Sequence, residues 1–197
     1  MIKIFFTGFK GGTGRTTLSF NFCKYLYHCH KKAVQFVSFD RQKIFSLPGT
    51  ENYPFPIHET TPEKFKLILG SVPPSTDFLI VDCPAEHSAL HATLLMDADY
   101  YVVPFGYSEL DLIKCSLFFS FIQKIKKDTN CLFFLPNKKS KAQNENTLGS
   151  FALLNTSNLL TYVPISSKLA GFPDPKLDNQ VFYLLRPPFI QIVNKIL

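Results

Sequence analysis

The sequence predicts an α/β domain, a mainly parallel and twisted sheet with helices on both faces. Three observations support this. Short apolar runs alternate along the chain with longer segments of helical spacing. The first run, residues 2–7, leads into a glycine-rich segment, residues 10–17, and then into a helical pattern. A later run, residues 78–82, is apolar until its final acid, which is typical of a strand buried on both faces.

Each predicted element follows from the same patterns. The strand candidates are 2–7, 33–39, 78–82, 100–104, 131–135 and 159–163. The helix candidates are 16–31, 62–70, 87–96, 109–127, 143–155 and 178–197. The second helix has a start signal, because Thr60 offers an N-cap hydroxyl, Pro62 suits a first turn and Glu63 lies at capping-box distance. The turn-rich stretch 43–59 predicts a loop or insertion. No repeat or linker divides the chain, so we predict one domain over residues 1–197.

The segment 10–17 reads Lys-Gly-Gly-Thr-Gly-Arg-Thr-Thr. Glycines allow successive backbone N–H groups to converge on an anion. The helix that starts near Thr16 adds unpaired donors and the positive end of its dipole. The first 39 residues contain bases but no acid. A glycine turn without a ligand is the alternative, but a polyphosphate site is the favoured prediction.

The strict phosphate-loop pattern, G-x-x-x-x-G-K-[ST], is not met, because Phe9 stands at its first glycine and Arg15 at its lysine. The early Lys-Gly-Gly at 10–12 makes the segment resemble the deviant Walker A motif of the ParA/MinD superfamily of partition and positioning ATPases. The resemblance implies a P-loop NTPase fold, bound ATP and Mg²⁺, and a homodimer in which Lys10 reaches the partner's nucleotide. Arg15 in place of the family's lysine predicts weak ATPase activity.

The resemblance also assigns roles to single residues. Those that would bind nucleotide through the loop are Lys10, Gly11, Gly12, Thr13, Gly14, Arg15, Thr16 and Thr17. Thr16 and Asp82 would hold Mg²⁺, Asp82 through a water molecule. Lys10 and Asp40 would be catalytic, Asp40 by orienting the attacking water. Asn137, at a strand end, would read adenine.

Several of these positions depart from the family's pattern. Residues 38–42 resemble its D-x-D-P-Q segment, but Ser38 replaces the first Asp and Arg41 the proline. Residues 96–104 resemble its A-D-x-v-i-i-P strand, and Leu110-Asp111 matches a helix start that often follows. Cys83 is either a metal-binding thiol or, as we favour, a packed small residue.

Composition limits the class of protein. The 197 residues, 46% hydrophobic and 18% charged, suit a globular domain with a sizeable core. No apolar run approaches the ~20 residues that span a bilayer, and the N-terminus lacks the shape of a leader. The five cysteines are scattered and never in C-x-x-C spacing, which indicates reduced thiols and a cytoplasmic protein.

Lysines are concentrated between residues 114 and 141, where Asp128 is the sole acid. This pattern fits either a non-specific DNA surface or a solvated face. The DNA candidates are Lys124, Lys126, Lys127, Lys138, Lys139 and Lys141. The apolar stripe over 189–197 could be a membrane-targeting tail, but Lys195 is its only base, so a packed terminal helix is favoured and membrane association is not expected.

The predicted function is therefore a ParA-type, Mg-ATP-dependent dimerising ATPase switch for DNA partition or cargo positioning. The resemblance implies a ParB-like partner or a cargo adaptor. Two alternatives stay open. One is a nucleotide-binding module that does not hydrolyse, which Arg15, Ser38 and Arg41 suggest. The other is a MinD-like, membrane-associated positioning ATPase.

Overall fold

The structure is a computed structural model of the chain. It describes residues 1–39, 44–46, 53–85, 88–126, 131–137, 158–169 and 178–197.

The centre of the molecule is a parallel sheet. Its strands are β1 Ile2–Phe6, β2 Val34–Ser38, β3 Ile57–Glu59, β4 Phe78–Asp82, β5 Tyr100–Phe105 and β6 Leu132–Pro136. In space their order is β3-β2-β4-β1-β5-β6, and each neighbouring pair is parallel. The predicted α/β fold is confirmed. The sheet's carboxyl edge is therefore common to all six described strands, and β1 lies at its centre between β4 and β5.

Five α-helices lie within the described residues. They are α1 Arg15–His30, α2 Phe65–Ser71, α3 Ala89–Met96, α4 Glu109–Ile125 and α5 Asn179–Ile196. Side-chain caps determine where three of them begin. Ser88 accepts a hydrogen bond from the His91 N–H, Asp178 accepts from the N–H groups of the next helix, and Ser108 forms a reciprocal capping box with Asp111. Gly14 caps α1 without any side chain.

Two hydrophobic cores cover the two faces of the sheet. Successive strand residues point to opposite faces, so Phe6 packs in the core beneath α1 and α5 while Phe5 packs in the core beneath α3 and α4. Burying one such phenylalanine stabilises the fold by about 1.5–3 kcal/mol. The ring of Phe189 in α5 lies 5.0 Å from that of Phe22 in α1. The expectation of a packed terminal helix is confirmed, and no helix in the described ranges is long and apolar enough to cross a membrane.

The structure corrects three local predictions. The stretch 43–59 is not only loop, because Ile57–Glu59 pairs with β2 as an edge strand. Residues 159–163 form no full strand, since only an isolated bridge joins Leu159 to Phe134. The cap before the second helix is Thr61 rather than Thr60, and its side chain makes no capping hydrogen bond. The predicted helix 143–155 lies outside the described residues.

Candidate nucleotide-binding site

The sheet register brings the glycine-rich loop beside Asp82. Phe6, the last residue of β1, is in register with Asp82, the last residue of β4. The loop leaves β1 at this point, and α1 begins directly after it. Ligands of open α/β sheets bind at the carboxyl ends of the strands, in the crevice where strand order reverses. The loop and the acid therefore meet at the expected edge.

The loop backbone has the conformation that its glycines permit. Gly12 has a φ of 73° and Gly14 a φ of 86°, both in the left-handed region that other residues seldom adopt. A Cβ on Gly14 would lie 2.5 Å from the Asn137 Nδ2, whereas one on Gly11 or Gly12 would meet nothing within 4 Å. The exposed loop surface is thus open to a ligand, and its inner side is packed.

Arg15 folds back onto the loop. Its Nη1 donates hydrogen bonds to the carbonyl oxygens of Gly8 and Lys10, at 2.8 and 2.9 Å. Burial lowers the pKa of the Arg15 guanidinium, and attraction to Asp82 opposes that shift. An arginine nonetheless stays charged in proteins. The loop therefore carries a fixed positive charge that is already bonded to its own backbone.

Lys10 reaches from the loop to the start of α4. Its Nζ forms an ion pair with Asp111 Oδ1 at 2.6 Å and lies 3.4 Å from the Ser108 hydroxyl. Burial alone would raise the pKa of Asp111, but hydrogen bonds from Lys10 and Ser108 and the lysine charge hold that pKa below its ordinary value. The Asp111 carboxylate is therefore ionised at neutral pH.

Gly106 makes room for this ion pair. A Cβ on Gly106 would lie 2.6 Å from Asp111 Oδ2, the oxygen that also accepts from the Ser108 N–H and hydroxyl. The same carboxylate thus starts α4 and holds Lys10.

Asn137, the residue after β6, also holds the loop. Its Nδ2 donates to the Thr13 carbonyl at 2.7 Å, and its own N–H donates to the Phe105 carbonyl at 2.8 Å. Beside it opens a cavity of about 440 Å³. The residues that line it are Gly14, Thr17, Leu18, Asn137, Pro164, Ile165, Ser166 and Leu169. Asn137 thus lies between the glycine-rich loop and this cavity.

The residues present fit a polyphosphate with a divalent cation. The buried Thr13 hydroxyl makes no hydrogen bond to any part of the chain that the structure describes. Gly11 and Gly12 leave an open cradle, and the first turn of α1, which includes Thr16, carries no acid. Asp82, 4% exposed, ends β4 at the same edge. Carboxylate and hydroxyl oxygens suit Mg²⁺.

Other predicted positions contribute less. Asp40 lies outside the described residues, and Ser38 is fully buried at the end of β2, in register with Asp82. Cys83 packs in the core beneath α3 and α4, as favoured from the sequence, and burial raises the pKa of its thiol well above its ordinary value. Among 1–39, 44–46, 53–85, 88–126, 131–137, 158–169 and 178–197, there is no group of three or more His, Cys, Asp and Glu residues that could hold a metal ion by itself.

The lysines predicted to contact DNA are only partly described. Lys124 is exposed in the last turn of α4. Lys126 donates to the Ala98 carbonyl and lies 5.5 Å from the centre of the Tyr101 ring, so its charge already has contacts within the chain. Lys127, Lys138, Lys139 and Lys141 are outside the described residues.

Sequence reasoning missed two parts of the site. The first is the pairing of Lys10 with Asp111, for which the Ser-x-x-Asp spacing at 108–111 signalled only a helix start. The second is the cavity wall at 164–169, which no motif marked.

A parallel sheet whose first strand leads through a glycine loop into a helix, beside a strand that ends in Asp, defines a P-loop nucleotide-binding domain. The family described as CobQ/CobB/MinD/ParA nucleotide binding domain matches residues 4–174. The chain belongs to this family, which includes the ParA/MinD-type ATPases. The resemblance predicted from 10–17 is confirmed.

Solved structures show the same fold at low sequence identity. A plasmid partition protein from Borrelia burgdorferi bound to AMPPNP is 16% identical, with a TM-score of 0.73 over 100% of this chain and 99% of that one. A McdA variant from Cyanothece in complex with ATP is 15% identical, with a TM-score of 0.75 over 100% and 96%. MinD of Aquifex aeolicus, in a MinC:MinD complex, is 14% identical, with a TM-score of 0.69 over 98% and 96%. No curated protein matches the chain.

Proposed function

We propose that this protein is a ParA-type switch that binds Mg-ATP, dimerises on it and hydrolyses it slowly in order to position DNA or another cargo. One observation carries the proposal. Among the described residues, the Lys10 Nζ contacts the Asp111 and Ser108 side chains at the start of α4, and a third of the lysine side chain is exposed. Asp111 is buried, but the lysine carries its charge on a flexible four-carbon side chain that is partly open to solvent, so its ammonium can exchange one anionic partner for another. Lys10 can therefore leave Asp111 for the phosphates bound in a second copy.

The proposed roles follow the geometry of the loop. Gly11, Gly12 and Thr13 would supply N–H and hydroxyl donors to the phosphates, since the space at both glycines is open and the Thr13 hydroxyl makes no hydrogen bond to the described residues. Gly14 would place the start of α1 against the phosphates. Thr17 and Asn137 line the nucleoside cavity. Thr16 and Asp82 would hold Mg²⁺, Asp82 through a water molecule, and Asp40 would orient the attacking water. The metal, when bound, neutralises charge on the phosphates.

Two other functions in the same family remain as alternatives. A module that binds nucleotide without hydrolysing it is supported by the Arg15 contacts, since both bonds of Nη1 go to the loop. A MinD-like membrane positioner is less well supported, because the apolar residues of α5 pack against α1. A ParB-like protein or a cargo adaptor would complete the system in the favoured case.

The dimer is tested through Lys10. We expect Mg-ATP to double the mass of the native protein in light scattering, and Lys10→Ala to stay monomeric while it still binds ATP in calorimetry. The reason is that the substitution removes a charge meant for the partner and spares the loop's own N–H donors. Native protein that binds ATP and stays monomeric would rule the dimer out.

Two control variants separate this effect from general loss of charge. Lys66→Ala removes an exposed lysine of α2, and should dimerise normally. Asp111→Asn releases Lys10 without removing it, and should dimerise too. If Asp111→Asn also stays monomeric, Lys10 acts through its anchor in this chain rather than through a partner.

DNA binding by the dimer is a further part of this proposal. The lysines between residues 114 and 141 would supply its charge, and Lys124 among them is exposed. If about four phosphates are neutralised, the logarithm of affinity should fall with that of salt concentration at a slope of about −3.6. Gel retardation of a duplex at several salt concentrations measures it. A dimer that retards no duplex at low salt favours a protein cargo.

A further inference from the structure

The side chain of Arg15 closes the loop on itself. Its two hydrogen bonds run back seven residues to Gly8 and five residues to Lys10. They tie the first turn of α1 to the segment that follows β1 and enclose the glycines at 11, 12 and 14. No other described side chain bonds to these two carbonyls.

The Arg15 guanidinium has more N–H donors than its two bonds to the loop use. It carries five N–H donors, two of them on Nη1. Both bonds to the loop come from Nη1, which leaves Nη2 and Nε for an anion. A lysine has three donors on one nitrogen and must divide them between the same carbonyls and the phosphates.

Other contacts hold the rest of the loop in place. Asn137 bonds to the Thr13 carbonyl at 2.7 Å, and Lys10 is paired with Asp111 at 2.6 Å. The Asp82 carboxylate attracts Arg15 from the neighbouring strand. The carbonyls of Gly8 and Lys10, however, depend on Arg15. Bonds from a charged donor to backbone carbonyls are among the stronger hydrogen bonds in proteins.

We infer that Arg15 is a positioning residue that keeps the loop in its anion-binding conformation before any nucleotide arrives. Nη1 serves the loop backbone, while Nη2 and Nε remain available for a phosphate. The nucleotide then meets a preformed cradle, and less of its binding free energy is spent on ordering the loop. The role of Nη2 and Nε rests on the proposed function. The pair of Nη1 bonds to the Gly8 and Lys10 carbonyls, called the brace below, does not depend on it.

The test uses nucleotide-free protein, so it does not depend on nucleotide binding. Hydrogen–deuterium exchange of the amides in residues 8–15 is compared among native protein, Arg15→Met, Arg15→Lys and Arg186→Met. We expect Arg15→Met to exchange these amides on the order of tenfold faster, because two bonds from a charged donor are lost. Arg15→Lys should restore slow exchange. Arg186→Met, which removes an exposed arginine of α5, should not change it.

A residue that only binds phosphate would give a different result. Arg15→Met would then leave the nucleotide-free loop unchanged and weaken only the binding of pyrophosphate in calorimetry, and the brace would be overturned. Fast exchange of Arg15→Lys equal to that of Arg15→Met would also overturn it. If the native protein binds no ATP but the loop is protected by Arg15, the proposed function fails and the brace stands.

A measurement on the native protein guards against loss of folding in Arg15→Met. In the nucleotide-free protein, the side-chain N–H signals of Arg15 should be separate and slow to exchange in NMR spectra, because rotation about Cζ–Nη1 requires both loop bonds to break. The exposed Arg186 is the internal reference, with one averaged signal. An averaged signal from Arg15 as well would contradict the brace.

Discussion

Gly14→Ala should abolish most nucleotide binding. The φ of 86° costs an alanine about 1–2 kcal/mol. The new Cβ would also lie 2.5 Å from Asn137 Nδ2, and Asn137 is buried, so its amide cannot swing aside into solvent. Moving it breaks the bond to the Thr13 carbonyl, worth about 0.5–1.5 kcal/mol. The two costs together are about 1.5–3.5 kcal/mol. If they destabilise only the loop conformation that binds nucleotide, affinity weakens roughly tenfold to 300-fold.

Calorimetry with ADP and AMPPNP measures the loss of affinity. Chemical denaturation measures how much of the cost instead lowers the free energy of unfolding. Gly70→Ala is the matched control, because a Cβ there meets nothing within 4 Å and the residue lies within α2. It should raise stability by up to about 1 kcal/mol and leave affinity unchanged. Normal affinity and stability of Gly14→Ala would show that the loop does not have the conformation described.

Arg15→Lys should hydrolyse ATP faster than the native protein while binding it with similar affinity. In the native chain the guanidinium is held by two carbonyls of the loop and attracted by Asp82, so it cannot follow the γ-phosphate as charge moves to the leaving oxygens. Its planar fork binds ATP and transition state about equally, and uniform binding gives no gain in rate. A lysine carries all its donors on one ammonium, which can hold the loop carbonyls in the free protein and shift a donor to the γ-phosphate in the transition state. One such well-aimed contact is worth roughly 10²–10³ in turnover.

Single-turnover hydrolysis and ATP affinity, measured for both forms, test this prediction. Arg15→Gln, which keeps a donor but loses the charge, is the comparison variant and should be slower than either. A loss of activity in Arg15→Lys would instead mark the arginine as an adapted catalytic group. In that case the protein is a competent ATPase, and its slow hydrolysis is no longer expected.

Much of the fold could be predicted because its signals are local. Runs such as 78–82 are apolar enough to indicate a strand buried on both faces, and the glycines of 10–17 mark a phosphate loop in whatever sheet contains them. The edge strand β3 escaped prediction, because its three residues follow a proline-rich turn and gain their strand conformation from pairing with β2. The strand candidate 159–163 is apolar, but it pairs with β6 through one bridge at Leu159 and so does not become a full strand.

The candidate site shows the same difference between local signals and long-range contacts. Its residue types and spacing, from Lys10 to Thr17 and again at Asp82, suffice to predict an anion site and a family. The partners of its charged groups emerge only on folding, because they lie far apart in the chain. Lys10 meets Ser108 across 98 residues and Asn137 meets Thr13 across 124. Local pattern specifies backbone conformation, whereas partner choice depends on which strand ends the sheet places side by side.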